Sequence, residues 1–433
     1  MIELPGLSVP LTGETSLQPD KSISHRALIH SLLAEGESVL FNLPDSADVR
    51  STLDCIMQCG ANVQQDAGLF RIKGVGPRGV SGESVQLDAG NSGTTARLMA
   101  GVMAMQPVRS RIIGDESLSL RPMNRVILPL RQMGCSITGT ESGTLPITIQ
   151  PVDTYLPLLN YHLPVASAQL KASLILAALH LDEESEIIES FSTRDHSERM
   201  LGIEKVNQGG KSFFRVSRRN YPLATEYKIP GDPSSAAFLI AATLLKKGSS
   251  VTLHNVLLNP LRLTYTDVLK EWGANIEASV SGVSSNESFG ALHISWSDIV
   301  PKPIPHESVP SIIDEIPILA MIAAFGEGRF CIRGASELRI KETDRIKATV
   351  HNLQAMGIAV EEYPDGFSFM CNGVKVKEAV LHSFGDHRIA MACSVAAMNL
   401  ENGAQIDSLE PIKISFPDFL QKMQLLTEYK WLK

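Results

Sequence analysis

The feature that most constrains how this chain can fold is an internal repeat. Short amphipathic segments ending in a glycine and running into a strand-like start recur along it: CIMQCGANV at 55–63, LRQMGCSI at 130–137, RMLGIEKV at 199–206, KEWGANI at 270–276 and LQAMGIAV at 353–360. A period of about 70 to 80 residues marks repeated supersecondary units, and a glycine just past an amphipathic run is the residue that closes a helix. A second set of segments interleaves with the first: Ser22 to Ala34, Gly93 to Met105, Ala168 to His180, Pro233 to Leu245, Asp314 to Phe325 and Asp386 to Met398. These are apolar nearly all round, so each is expected to be a buried helix. FPDFLQKMQLL supplies the amphipathic partner of the sixth, and VQLDAG, LPITIQ, VTLHNV and FCIRGA read as strands.

Six α/β units divide naturally into two similar domains of three. The turn-rich stretch at Ile229, Pro230 and Gly231 is the expected boundary, giving domains 20–229 and 230–433, with residues 1–19 packing with the second. At 433 residues the chain exceeds what one core usually serves, which agrees with a two-domain reading.

Charge and composition narrow the function. A formal net charge of −8 argues against a nucleic-acid partner, which normally leaves a basic excess or stripe. The opening MIELPGLSVP lacks a basic and then apolar leader, and no apolar run approaches the ~20 residues that span a bilayer. The expectation is a cytoplasmic enzyme with no membrane partner. The cysteines are scattered with no CxxC, and Cys55, Cys135 and Cys393 lie in apolar patterns, so core packing explains them better than disulfides or zinc.

Polar residues gather where the buried helices begin: KSISHR, NSGTTAR, SAQLK, GDPSS, IIDE and GDHR. Helix N-termini carry orphan N–H groups and a partial positive charge, so several aimed at one interdomain cleft make an anion site. Lys21, Arg26, Lys341, Arg345, His387 and Arg388 lie in or near first turns, where the macrodipole disfavours cations and an anionic ligand would remove the penalty. An acidic chain that binds anions must focus a few cations in this way. The residues alone point to a site for small anionic ligands.

Simpler readings compete at several motifs. GDPSS has Asp232 as N-cap and Pro233 at the first helical position, which needs no chemistry. Gly74, Gly76 and Gly79 match GxGxxG, but Pro77 and the following VSGESVQLDAG do not make the helix a dinucleotide site requires. NSGTTAR, Asn91 to Arg97, is equally a capped tight turn. KETDR could be a solvated first turn, although Lys341 and Arg345 fall at i,i+4, on one face.

Taken together, KSISHRAL, GNSGTTARL, ESLSLRPM, SAQLK, RDHSE, LRIKETDR, GDHRIAM and SFPDF resemble the EPSP synthases, 3-phosphoshikimate 1-carboxyvinyltransferases, in order from Lys21 to Phe419. The resemblance implies two similar domains, each of three α/β units, closing on shikimate 3-phosphate and phosphoenolpyruvate. It implies carboxyvinyl transfer to the 5-hydroxyl, in the shikimate pathway to aromatic amino acids, with no metal or organic cofactor. The expected partners are these two small molecules, with no nucleic acid and no membrane, in a monomeric chain.

By the same resemblance, Lys21, Ser22, Arg26, Ser167, Gln169, Arg194, Asp314 and Lys341 would hold shikimate 3-phosphate. Lys21, Gly93, Arg121, Gln169, Arg345 and Arg388 would hold phosphoenolpyruvate, whose carboxylate and phosphate suit guanidinium forks. Catalysis would fall to Lys21, Asp314, Glu342 and His387, with Glu342 the acid toward the methylene carbon and Asp314 the partner of the attacking hydroxyl. Three places depart from the pattern. Ile414 stands where many relatives carry a lysine and Lys413 is one earlier; Ala168 replaces a second serine; NPLRLTY, which carries Arg262, replaces the commoner NPTRTG.

The chain is less similar to the UDP-N-acetylglucosamine enolpyruvyltransferases, which usually carry a reactive cysteine on the loop matching GDESLSLRPM. A catalytically dead relative would lose Lys21, Asp314, Glu342 or His387, and all are present. For the inhibitor glyphosate, Gly93 implies sensitivity, while RDHSE and SAQLK resemble the tolerant subclass and GDES and NPLR do not. Intermediate inhibition is the expectation.

Overall fold

A computed structural model of the chain describes residues 1–66, 68–152 and 157–427. It forms two compact units. The N-terminal unit is Pro19–Pro230 with Val283–Glu287; the C-terminal unit is Met1–Gln18, Gly231–Gly282 and Ser288–Lys433.

The N-terminal unit repeats one motif three times. Its sheets are Glu226–Lys228, Glu37–Phe41, Leu69–Lys73, Asn62–Asp66; then Ser84–Asp88, Arg109–Ile113, Ile147–Ile149, Ile137–Thr138; and Asn160–His162, Ser185–Glu189, Lys211–Val216, Lys205–Gln208. In each the first pair is parallel and the next two are antiparallel, as in Glu226↔Val39, Glu37↔Lys73 and Asn62↔Lys73. One buried helix opens each repeat: Lys21–Leu33, Gly93–Met103 and Ala168–Ala178. From Ile23 to Leu33 every residue of the first is buried, as a helix without a polar face requires.

The C-terminal unit has buried helices Pro233–Leu245, Ile316–Phe325 and His387–Asn399. Its four-stranded sheet joins Asn275–Ser284, Glu287–Ser295, Ser250–Leu257 and Thr12–Ser16, the last parallel to its neighbour in register Thr12↔Ser250. Two three-stranded sheets complete it: Glu327–Ile332, Gly366–Asn372, Val360–Tyr363, and Ile2–Leu4, Gly403–Ile406, Glu378–Leu381. One continuous apolar core runs from Leu4 to Leu426 through all three helices. Gly60 and Gly273 end amphipathic helices at φ 98° and 101°, the left-handed geometry expected of a closing glycine.

Two expectations, the placements of Asp314 and Lys341, need correction. The fifth buried helix begins at Ile316, so Asp314 lies on the turn before it, after a short helix Val309–Ile312. Lys341 is not in a first turn: it follows the 3-10 turn Ser336–Ile340, Asp344 is the N-cap, and the helix starts at Arg345. The glycine-rich KGVGPRG is a loop against the first helix, where a Cβ on Gly74 would meet the Ser31 and Ala34 carbonyls. Five cysteines are buried and Cys331 partly so; all six are free thiols, and burial pushes Cys59 and Cys135 up to about 12. Among the described residues no single helix is long and apolar enough to cross a membrane, and no His, Cys, Asp and Glu group is placed to hold a metal ion.

Candidate active site

In the N-terminal unit, the starts of the three buried helices carry the expected ligands. Asp20 caps the first helix, accepting from the Ile23 amide at 2.7 Å, and Lys21 is its first residue. The Lys21 ammonium reaches Asp48 at 3.0 Å while staying partly exposed. Arg26, one turn on, is buried; its Nε donates to Ser197 Oγ at 2.8 Å and its Nη1 to the Ser22 carbonyl at 3.0 Å. Beneath them, His25 Nδ1, Thr52, Thr95 and Ser92 form a hydroxyl chain with contacts of 2.6 to 2.7 Å. Burial lowers the His25 imidazole to about 3, so it is neutral and structural.

Gly93 opens the second helix behind its cap Ser92, whose Oγ accepts from Thr95 at 3.1 Å. A Cβ at Gly93 would stand 3.0 Å from Arg97 Nη1 and 3.7 Å from Arg121 Nη1, so this position lies between two guanidiniums. Arg121 donates to Asn91 Oδ1 at 3.1 Å. Ser167 caps the third helix, and Gln169 bridges to the second by accepting from Arg97 at 2.6 Å and donating to Thr94 at 3.0 Å. Arg97, a residue absent from the expected set, thus stands beside Gly93 and binds Gln169, and its Nη2 donates to the Pro122 carbonyl next to Arg121 at 3.4 Å. Its signal was present: it is the one charged residue of the helix Gly93–Met103, one turn after Gly93.

The RDHSE segment carries Arg194, and its neighbours are anchored. Asp195 pairs with Arg199 at 2.9 Å, His196 Nδ1 lies 2.7 Å from Glu287, Ser197 accepts from Arg26, and Glu198 meets Lys171 at 2.6 Å.

In the C-terminal unit the chemistry converges on Asp314. Its Oδ1 lies 3.1 Å from Arg345 Nη1 and 3.3 Å from Lys341 Nζ, and Arg388 Nη1 donates to its carbonyl at 3.2 Å. Lys341 and Arg345 therefore meet through a shared carboxylate and not through helical spacing. Arg345 is 1 % exposed and also donates to Glu342 Oε2 at 2.6 Å and Asp386 Oδ2 at 2.8 Å. Burial works against its charge, but Asp386, Glu342 and Asp314 outweigh burial and raise its pKa further.

Glu342 is correspondingly ionised. Burial opposes its charge, yet Arg345, with His387 and Lys341, holds the carboxyl well below the usual range. Asp386, the N-cap of the sixth helix, is likewise lowered by Arg345 and His387 against the effect of burial. His387 is the first residue of that helix and is buried. Arg388 also reaches Glu315 at 3.4 Å, and Ser234 links Glu315 at 2.6 Å to Arg262, which donates to Asp232 at 2.7 Å. Asp232 does cap the fourth helix as expected, and Arg262 is a buried internal partner of that cap. Lys413 is exposed and pairs with Glu410 at 2.9 Å.

Each unit thus offers cations at helix starts, suited to oxyanions, and the C-terminal unit adds a paired carboxyl set suited to proton transfer. The family model for EPSP synthase (3-phosphoshikimate 1-carboxyvinyltransferase) matches residues 7–423. The chain is 42% identical over 426 residues to a 3-phosphoshikimate 1-carboxyvinyltransferase of Salinibacter ruber, covering 98% of this chain and 99% of the relative. An EPSP synthase structure from Acinetobacter baumannii matches with a TM-score of 0.86 at 33% identity, over 98% of each chain. The enolpyruvyl transferase NikO from Streptomyces tendae shares the fold, with a TM-score of 0.73 at 14% identity over 98% of this chain and 96% of that one.

Proposed function

The chain belongs to the EPSP synthase family, and we propose that the helix-start residues of each unit described above serve its reaction. It transfers the carboxyvinyl group of phosphoenolpyruvate to the 5-hydroxyl of shikimate 3-phosphate and releases phosphate, a step toward aromatic amino acids. The observation that carries the assignment of roles is the Asp314 carboxyl ringed by Lys341, Arg345 and Arg388, with Glu342 on the same arginine.

Shikimate 3-phosphate is held by Lys21, Ser22, Arg26, Ser167, Gln169 and Arg194, with Asp314 and Lys341 at its reacting end. Phosphoenolpyruvate is held by Lys21, Gly93, Arg121, Gln169, Arg345 and Arg388. The reaction adds a proton to the methylene carbon and the 5-oxygen to the neighbouring carbon. Phosphate then leaves the tetrahedral adduct as the new methyl group gives back a proton. Asp314 takes the hydroxyl proton, and Glu342 gives and recovers the methylene proton.

Glu342 must acquire that proton. Its carboxyl is held ionised by Arg345 at 2.6 Å, so an anionic substrate that takes over the guanidinium removes the largest lowering influence. Without that guanidinium the carboxyl moves back up toward its ordinary range and can take up a proton. Binding of phosphoenolpyruvate thereby arms its own proton donor. His387 and Lys341 set the remaining field. Neither metal nor organic cofactor enters these steps, and the enzyme works as a cytoplasmic monomer.

The experiment is a proton-uptake measurement by calorimetry in buffers of different ionisation enthalpy, with wild type and Glu342→Gln. Uptake on phosphoenolpyruvate binding should be larger in the wild type; equal uptake would remove Glu342 from the acid role.

A further inference from the structure

The core of the N-terminal unit contains a charged group that the proposed chemistry does not use. Lys171 in the third helix is 0 % exposed, and its ammonium touches Glu189 at 2.8 Å and Glu198 at 2.6 Å, both also buried. It lies 4.5 Å over the Phe214 ring. Lys205, 3.8 Å from Glu189, brings the set to two cations and two carboxylates. Burial works against the Lys171 charge, but the two carboxylates outweigh burial and keep it protonated.

A buried ion cluster of this kind is poor value as a source of stability, because desolvation offsets its attraction and apolar residues of similar volume often do as well. Its placement gives it a different use. Glu189 ends the strand Ser185–Glu189, and Glu198 lies in the short helix His196–Met200. Between them runs the loop that carries Arg194. One ammonium therefore clasps both ends of that loop, and Thr193 adds a bond to Glu189 at 3.0 Å. The backbone of Lys171 in turn donates to the Ser167 carbonyl at 3.1 Å, two residues beyond Gln169. The same residue thus ties the Arg194 loop to the helix start that carries Ser167 and Gln169.

We propose that Lys171, with Glu189 and Glu198, is the positioning element that sets Arg194 against the Ser167–Gln169 helix start for recognition of the phosphate of shikimate 3-phosphate. This rests on the assignment of that substrate to these residues. Lys171 acts through Arg194, so its removal loosens phosphate recognition and spares phosphoenolpyruvate.

The test is a double-mutant cycle read by calorimetric binding of shikimate 3-phosphate and by phosphate release, on wild type, Lys171→Met, Glu198→Gln, Arg194→Ala and Arg194→Ala with Glu198→Gln. Glu198→Gln keeps the Lys171–Glu189 pair and serves if Lys171→Met fails to fold, as thermal unfolding will show. Glu198→Gln should weaken shikimate 3-phosphate about tenfold, the scale of one misplaced charge-assisted hydrogen bond, and leave the phosphoenolpyruvate KM within about twofold. In the Arg194→Ala background the same change should have an effect within about twofold. A folded Glu198→Gln that binds as wild type, or an equal loss with and without Arg194, overturns the proposal. If the wild type neither binds nor turns over shikimate 3-phosphate, it is the substrate assignment that fails.

Discussion

Replacing Arg345 by methionine removes the cation that Asp314, Glu342 and Asp386 share. The side chain is 1 % exposed, and Asp386 opposite it is 0 % exposed, so water cannot substitute for the lost guanidinium. Breaking a buried ion pair from one side costs about 3 to 5 kcal/mol, because the partner charge remains. With a urea slope near 3 kcal/mol/M, the midpoint should fall by about 1 to 2 M. Trp272 and Trp296 belong to the C-terminal unit, as Arg345 does, so their fluorescence reads the relevant transition.

The loss should also depend on pH. In the wild type, Glu342 and Asp386 have depressed folded pKa values, so their stabilisation is complete above the unfolded values near 4 and is lost as pH falls through the folded ones. In Arg345→Met the buried Asp386 loses its partner and burial raises it, so the variant regains stability as that carboxyl takes up a proton. The gap between the two proteins should therefore narrow from pH 7 to pH 5. A loss below ~1 kcal/mol, or a gap independent of pH, would refute the shared-cation account.

Glu342→Gln should lower kcat by a factor on the order of 100 to 10,000 with the unfolding transition preserved, and near wild-type turnover would contradict the acid assignment. Gly93→Ala places a methyl 3.0 Å from Arg97 Nη1, so inhibition kinetics should show the glyphosate constant rising more than the phosphoenolpyruvate KM. The difference should approach the ~1 to 3 kcal/mol that one methylene decides in a tight pocket, and proportional changes would remove Gly93 as a discriminator. Arg97→Ala should raise the phosphoenolpyruvate KM about tenfold by releasing Gln169 from its 2.6 Å bond; an unchanged KM would make Arg97 merely a packing residue.

The repeated units were legible because their buried helices are apolar all round and their amphipathic partners close on glycine. The expected spans Pro233 to Leu245 and Ser22 to Ala34 differ from the observed helices by at most one residue at either end. Legibility failed where partners are distant in sequence. Nothing in the residues of Thr12–Ser16 specifies pairing with Ser250–Leu257, since strand register depends on the neighbour supplied by the fold. The site shows the same division. Resemblance named Glu342 and Arg345, but the third carboxylate, Asp386, reads in sequence only as a helix cap. Lys171 and Glu198 stand in quoted motifs, yet their pairing needs the third helix and the RDHSE segment to be brought together in space. Lys341 and Arg345 fell at helical spacing for the wrong reason, because Asp344 starts the helix after Lys341 and Asp314 unites the pair.

The most direct test of the central claim is phosphate release from phosphoenolpyruvate by the purified protein, with shikimate 3-phosphate or UDP-N-acetylglucosamine as acceptor. Carboxyvinyl transfer to shikimate 3-phosphate predicts stoichiometric phosphate and enolpyruvyl product with that acceptor alone. Release with UDP-N-acetylglucosamine in its place, or with neither acceptor, would contradict it.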